Sequence, residues 1–251
     1  MTKIIKVGCC GFPVSQKKYY KEFSCIEINS SFYQVPSIKV AKRWLKEAKS
    51  INPDFEFIIK AWQIITHKSS SLTYRRIKQY IGNKKNYGFF APTQEVFTAW
   101  DVTKEFALAV SAKKILFQCP SSFLPTEENL RNLYTFFKKI KRDKEKYKFE
   151  FIIEVRAKEW SRKIISKISK ELELTHCVDP LYNECYAGNY NYFRLHGIHI
   201  NNKLNYNYKF SDEELKKVFL LCNKKLNYVM FNNSTMYEDA NRFKILVEKG
   251  F

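Results

Sequence analysis

The sequence predicts an α/β fold, a TIM-like (β/α)8 barrel, on three observations. Its 251 residues match the ~250 that such a barrel needs. Short apolar runs, eight in all, alternate with mostly helical stretches. The run Phe149–Arg156 (FEFIIEVR) is nearly apolar on both faces until its end, as a parallel strand covered on both sides reads. A doubly wound open sheet is the alternative with the same alternation.

Each element follows from local pattern. Lys3–Val7 is a short apolar strand running into Gly8-Cys9-Cys10-Gly11-Phe12-Pro13, a turn tolerant of unusual backbone angles. Ser15–Phe23 reads as a short helix. Cys25–Phe32 (CIEINSSF) is the second strand, with Glu27 and Asn29 on one side and Ile26 and Ile28 on the other. Pro36 and Ser37 open a helix from Ile38 to about Lys49, striped by Val40, Trp44, Leu45 and Ala48. Phe55–Lys60 (FEFIIK) is the third strand and repeats the FEFIIE pattern, with Lys60 where the later run has Glu154. Ala61 to about Lys113 is the longest connection, where a barrel keeps a lid; Asp101 is the expected cap of its last helix.

Ile115–Cys119, closed by Pro120, is the fourth strand, and Thr126–Lys146 a charged amphipathic helix. Phe149–Arg156 is the fifth, followed by a helix over Trp160–Leu172. The sixth strand, Thr175–Asp179, is separated from the seventh, Tyr192–Gly197, by too few residues for a full crossover helix, so this crossover is irregular. Ser211 and Glu214 form a capping box opening a helix to about Lys225. Asn227–Asn232 is the eighth strand, and a final helix runs from about Tyr237 to Glu248. No linker or low-complexity stretch interrupts residues 1–251, which read as a single barrel domain.

Composition bounds the function. The 21 Phe and 16 Tyr supply a large core, and no apolar run approaches the ~20 residues of a membrane span. The amino terminus lacks a signal-peptide pattern, and seven scattered cysteines, an odd number, fit reduced thiols; the expected location is the cytoplasm and no membrane partner is expected. The net charge of +19 suits an anionic small-molecule or nucleic-acid ligand. Only nine of the 44 basic residues are Arg, however, and the accompanying wealth of Asn, Ile and Tyr matches an A/T-rich coding bias that by itself raises Lys.

Polar residues at strand ends are the candidate site: Glu27 and Asn29, Lys60, Gln118, Glu154 and Arg156, Asp179, Arg194 and His196, and Asn232, with His67 in the long connection. Ionised groups in a core are expensive unless paired, so so many suggest a ligand. Structural ion pairs and local hydrogen bonds are the alternative for each. Glu154, His196 and Lys60 carry the expected catalytic roles; Arg156, Arg194, Glu27, Asn29, His67, Gln118 and Asn232 the binding roles. A divalent cation on Glu27, Glu154 and Asp179 is one cofactor expectation, and a thiolate-bound metal or iron–sulfur site on Cys9, Cys10 and Cys119 another. There is no CxxC, HExxH, GxGxxG, P-loop or GxSxG motif. Aromatics beside basic residues, as in Tyr74-Arg75-Arg76, suit stacking of bases or sugars.

Taken together, Gly8–Phe12 (GCCGF), Glu27–Tyr33 (EINSSFY) with Pro36, Lys60 with Thr66-His67, Phe117–Phe123 (FQCPSSF), Glu154–Trp160 (EVRAKEW), Phe193–Gly197 (FRLHG), Tyr208–Leu215 (YKFSDEEL) and Phe231–Asn233 with Ala240-Asn241 resemble the YecE-like family, domain of unknown function 72. The resemblance covers nearly the whole chain. It implies a TIM-like barrel and marks Glu27, Asn29, Lys60, His67, Gln118, Glu154, Arg156, Arg194, His196 and Asn232 as signature polar positions; it implies no settled activity. Cys9 and Cys10 stand where small hydroxyl residues are usual, Phe12 for a Trp, and Ile198 for an Arg after His196-Gly197, which removes one anion-binding group from that corner.

The leading expectation is therefore an enzyme acting on a phosphorylated or nucleic-acid substrate by hydrolysis or acid/base chemistry. A non-catalytic nucleic-acid-binding protein using its basic surface, and a sugar-active or isomerase-type barrel, are the alternatives, and fold alone does not choose among them.

Overall fold

The computed structural model describes residues 3–76, 79–200 and 203–250, with the side chain of Arg76 outside that description. The elements in order are β1 Ile4–Cys9, α1 Gln16–Glu22, β2 Cys25–Ile28, α2 Ser30–Tyr33, α3 Ile38–Ile51, β3 Glu56–Lys60, α4 Gln63–Thr66, α5 Gln94–Ala109, β4 Lys114–Gln118, α6 Glu127–Tyr147, β5 Glu150–Glu154, α7 Arg162–Leu172, β6 Leu174–Val178, β7 Asn191–Leu195, β8 Ile198–Ile200, β9 Lys203–Asn205, α8 Asp212–Leu221, β10 Leu226–Phe231 and α9 Met236–Lys249. The fold is a TIM-like (β/α)8 barrel. Its eight-stranded sheet runs β1-β10-β7-β6-β5-β4-β3-β2, the β8–β9 hairpin standing apart. Just past β1, Cys10 bridges Glu27 of β2 in parallel.

The chain divides into two compact units. The first comprises Met1–Glu27, Glu47–Glu56 and Thr175–Phe251, the second Ile28–Lys46 and Phe57–Leu174. In the first, β10 lies between β1 and β7, parallel to both. Strands β1 and β2 approach closely at Gly8, where a Cβ would lie 2.5 Å from the Cys25 carbonyl oxygen. The buried Tyr19 hydroxyl joins the same two strands, accepting from Cys9 N–H at 2.7 Å and donating to the Cys25 carbonyl at 2.9 Å. In the second unit β4 pairs in parallel with β3 and β5. Phe117 of β4 packs its ring against Trp100, Phe136, Phe137 and Phe151, so α5, α6 and β5 share one aromatic core. Thr93, Thr126 and Ser161 cap α5, α6 and α7 by accepting backbone N–H groups of the first turn.

Several boundaries differ from the sequence reading. The strand read as Cys25–Phe32 stops at Ile28, because the Ser31 hydroxyl bonds the Ile28 carbonyl at 2.6 Å and Ser30–Tyr33 coils into a helical turn. Asp101 is no cap: it lies inside α5, which begins after Thr93. Arg156 lies beyond the end of β5. The β8–β9 hairpin escaped the sequence reading, being short and half polar. The irregular β6-to-β7 crossover holds no helix, and the Ser211–Glu214 capping box is complete.

Phe117 is fully buried, so Phe117→Ala is expected to cost about 3–5 kcal/mol, seen as a lower midpoint with unchanged slope in urea unfolding.

Candidate functional site

Candidate residues fall into two clusters, one in each unit. The cluster of the first unit is built on Glu27 of β2 and Arg194 of β7, both without solvent exposure. Arg194 donates through Nε to Glu27 Oε2 at 3.0 Å and through Nη2 to Oε1 at 2.8 Å. Tyr192, two residues earlier on the same strand face, donates to Oε2 at 2.9 Å. Nη2 also reaches the Cys10 sulfur at 3.6 Å, and Nη1 lies 3.0 Å from His196 Nε2. A guanidinium only donates, so His196 Nε2 accepts and the neutral ring carries its proton on Nδ1. That nitrogen faces Asp179 Oδ2 at 3.6 Å, while the same oxygen accepts His196 N–H at 3.1 Å. Asn232, just past β10, donates its N–H to the Leu195 carbonyl at 2.8 Å and so tethers the chain entering His196. Arg194 thus spends every guanidinium nitrogen inside the protein.

The cluster of the second unit gathers at the carboxyl ends of β3 and β5. Lys60 Nζ sits 3.8 Å from the centroid of the Phe32 ring, whose edge-on neighbour at 4.9 Å is the His67 imidazole. Ser31, beside Asn29 at the start of α2, donates to the Lys60 carbonyl at 2.7 Å. Glu154 accepts from Arg156 Nε at 2.7 Å, and its backbone carbonyl receives Cys119 N–H. Gln118 turns its amide onto the adjacent Cys119 carbonyl at 2.6 Å. Lys60, His67, Gln118 and Glu154 are buried, whereas Arg156 is 30% exposed and forms the open edge. Burial first, then the Lys60 and Arg156 charges, push the His67 imidazole down to about 3, against a smaller upward pull from Glu154. His67 is neutral at physiological pH and stands in a net cationic field.

His67 is held from several sides. Its Nδ1 lies 2.8 Å from the Thr66 hydroxyl, and its carbonyl accepts from Tyr74 at 2.8 Å. Gly88 is packed on its backbone, where a Cβ would fall 2.4 Å from the His67 carbonyl carbon; φ there is +86°. Phe89 and Phe90 continue in the left-handed region, and the N–H groups of residues 88, 89 and 90 bond the carbonyls of Ile64, Thr66 and Ile65. Phe32, Gly88 and Tyr192 were not read as site residues, although the parity that gives Arg194 its strand face gives Tyr192 the same one.

Among the described residues no three His, Cys, Asp or Glu side chains are grouped to hold a metal ion. Both Glu27 oxygens already serve Arg194 and Tyr192. Burial pushes the Cys9 thiol up to about 12 and the Cys10 and Cys119 thiols well above the ordinary range. These cysteines are therefore protonated thiols as they stand.

A family model described as protein of unknown function DUF72 matches residues 15–249. The chain belongs to the DUF72 family. The YecE-like resemblance in the sequence is to this same family. A DUF72 protein from Enterococcus faecalis V583 shares the fold at 20% identity, with 98% of each chain covered and a TM-score of 0.73. SacUVDE is similar at 11% identity, 99% of each chain and a TM-score of 0.60. A xylose isomerase domain containing protein from Salmonella typhimurium LT2 follows at 13% identity, 98% of this chain and 97% of that chain, with a TM-score of 0.59. No match was found among curated proteins.

Removing one partner of the buried Glu27–Arg194 pair strands the other, so Glu27→Ala and Arg194→Met are each expected to cost about 3–5 kcal/mol in urea unfolding. The double variant is expected to cost far less than their sum, because no charge is left unpaired. For His67, the unfolded chain binds a proton near the ordinary ~6.5 and the folded chain only near 3, so stability falls as pH drops between them. From pH 6.5 to 5 this loss is about 1.7 kcal/mol, and His67→Asn is expected to remove that part of the pH dependence.

Proposed function

We propose that this DUF72 protein is an enzyme acting on a phosphorylated or nucleic-acid substrate, by hydrolysis or acid/base chemistry. The observation that carries the reading is the Lys60–His67–Glu154–Arg156 cluster, buried but for Arg156, in which two cations and one carboxylate share the strand ends and the field at His67 is net positive. Such a field favours a substrate that brings negative oxygens with it. Glu154, oriented by Arg156, is the general base that takes a proton from water or a substrate hydroxyl. Lys60 and the half-exposed edge of Arg156 hold anionic oxygens, and neutral His67 supplies a ring nitrogen as donor or acceptor. A guanidinium at this edge suits a phosphate because its planar fork matches two oxygens at once.

The first-unit cluster has a different part in this reading. Arg194 and Glu27 are positioning residues that fix the His196 tautomer, so any proton His196 gives or takes passes through Nδ1, on the Asp179 side. Gln118 and Asn232 hold the backbone at the strand ends. The likeness of fold to SacUVDE, a UV damage endonuclease, agrees with a nucleic-acid substrate. The likeness to the xylose isomerase domain protein keeps a sugar-active barrel as the second reading.

Thermal shift of the pure protein against inorganic phosphate, nucleotides, short DNA and RNA, and free sugars checks the reading. Phosphate-bearing ligands are expected to stabilise the protein, and Glu154→Gln and Lys60→Met to lose that response. Once a turnover assay exists, Glu154→Gln is expected to lower kcat by about 100- to 10,000-fold. Stabilisation by sugars alone, or a response untouched by both substitutions, overturns it.

A further inference from the structure

The connection from β3 to α5 carries a charge pattern that the catalytic cluster does not use. Between Ala61 and Gln94 the sequence has no Asp or Glu, against Lys68, Arg75, Arg76, Lys78, Lys84 and Lys85. Elsewhere in the second unit some lysines pair with carboxylates: Lys104 with Asp101 and Asp143, Lys141 with Glu145, and Lys144 with Glu173. Lys68, Arg75, Lys84 and Lys85 are exposed, and among the described residues none of the four pairs with a carboxylate.

Aromatic rings stand among these cations. Tyr80 is 45% exposed, and Lys84 Nζ lies 3.5 Å from its ring centroid. Lys68, directly after His67, lies 4.7 Å from the half-buried Phe89 ring. The segment is braced from within. Tyr87 bonds the Ile81 backbone in both directions and stacks on Tyr74 at 5.9 Å. The next carboxylate along the chain, Glu95, accepts from Asn83 N–H and from the Asn86 amide, both at 2.9 Å. It thus holds the 83–86 turn that presents Lys84 and Lys85, and does not neutralise them.

We infer that this segment is a docking surface for single-stranded nucleic acid, with Lys68, Arg75, Lys84 and Lys85 tracking the phosphates and Tyr80 stacking a base. Unpaired cations on one connection match a polyanion, and an exposed ring between them distinguishes a nucleic acid, which offers a π-face at every step, from an acidic peptide. The segment starts one residue after His67, so a strand lying on it runs toward the Lys60–Glu154 cluster. The inference rests on the anionic-substrate reading above and narrows its substrate to a nucleic acid.

Fluorescence anisotropy with a labelled oligo-dT strand tests it, using the whole protein at several salt concentrations. Lys84→Glu/Lys85→Glu is expected to weaken binding at least tenfold and to flatten the salt dependence, and Tyr80→Ala to weaken it about tenfold with the salt slope unchanged. The control Lys138→Glu/Lys139→Glu, on the exposed face of α6, is expected to change binding less than twofold. Circular dichroism melts of each variant separate lost binding from lost folding. Equal weakening by the α6 control, or unchanged binding in both segment variants, overturns the docking surface. In that case a phosphate response that still depends on Glu154 leaves the catalytic reading standing. A phosphate response untouched by Glu154→Gln and Lys60→Met, with the segment effects intact, overturns the catalytic reading instead.

Discussion

The first unit depends on one ion pair that water never reaches. Glu27 and Arg194 are both without exposure, and taking two charges out of solvent costs several kcal/mol before their attraction is counted. The surroundings offset that cost with further hydrogen bonds: Tyr192 donates to one carboxylate oxygen, and His196 and Cys10 each take a guanidinium donor. Such a network is worth less as glue than as a template. It admits one ring orientation at His196 and one side-chain direction at Arg194, so the chain leaving β7 has its geometry set before any ligand arrives.

The second unit solves a related problem differently. Lys60 is nearly as buried, and its ammonium lies against the face of Phe32, where the ring quadrupole attracts a cation. The result is a site whose electrostatics remain lopsided, as the depressed His67 imidazole records.

Much of this was legible in the residues themselves. Doubly apolar runs marked β3, β4 and β5, because a strand covered on both faces has no solvent side to record. Strand parity put Glu154 beside Arg156 and aligned Arg194 with His196, and both pairs meet in space. The reading failed where a local hydrogen bond competes with an extended backbone. Ser31 turns Ser30–Tyr33 helical within an otherwise strand-like sequence, and Thr93 outranks Asp101 as a cap through its position alone. Nor does a sequence state which group consumes which donor. Arg194 reads as an anion holder until its partners are counted, and nothing in the letters around Phe32 or Gly88 announces that they brace Lys60 and His67.

The buried cysteines have a practical consequence. Cys9, Cys10, Cys119 and Cys222 are hidden, and burial keeps their thiols protonated far above neutral pH. An alkylating reagent reacts with thiolate, so each of these positions stays silent until the chain around it opens. Cys119 in the second unit and Cys9 in the first are thus built-in clocks. Comparing their labelling rates in native buffer would time the opening of each unit separately, with no foreign probe attached.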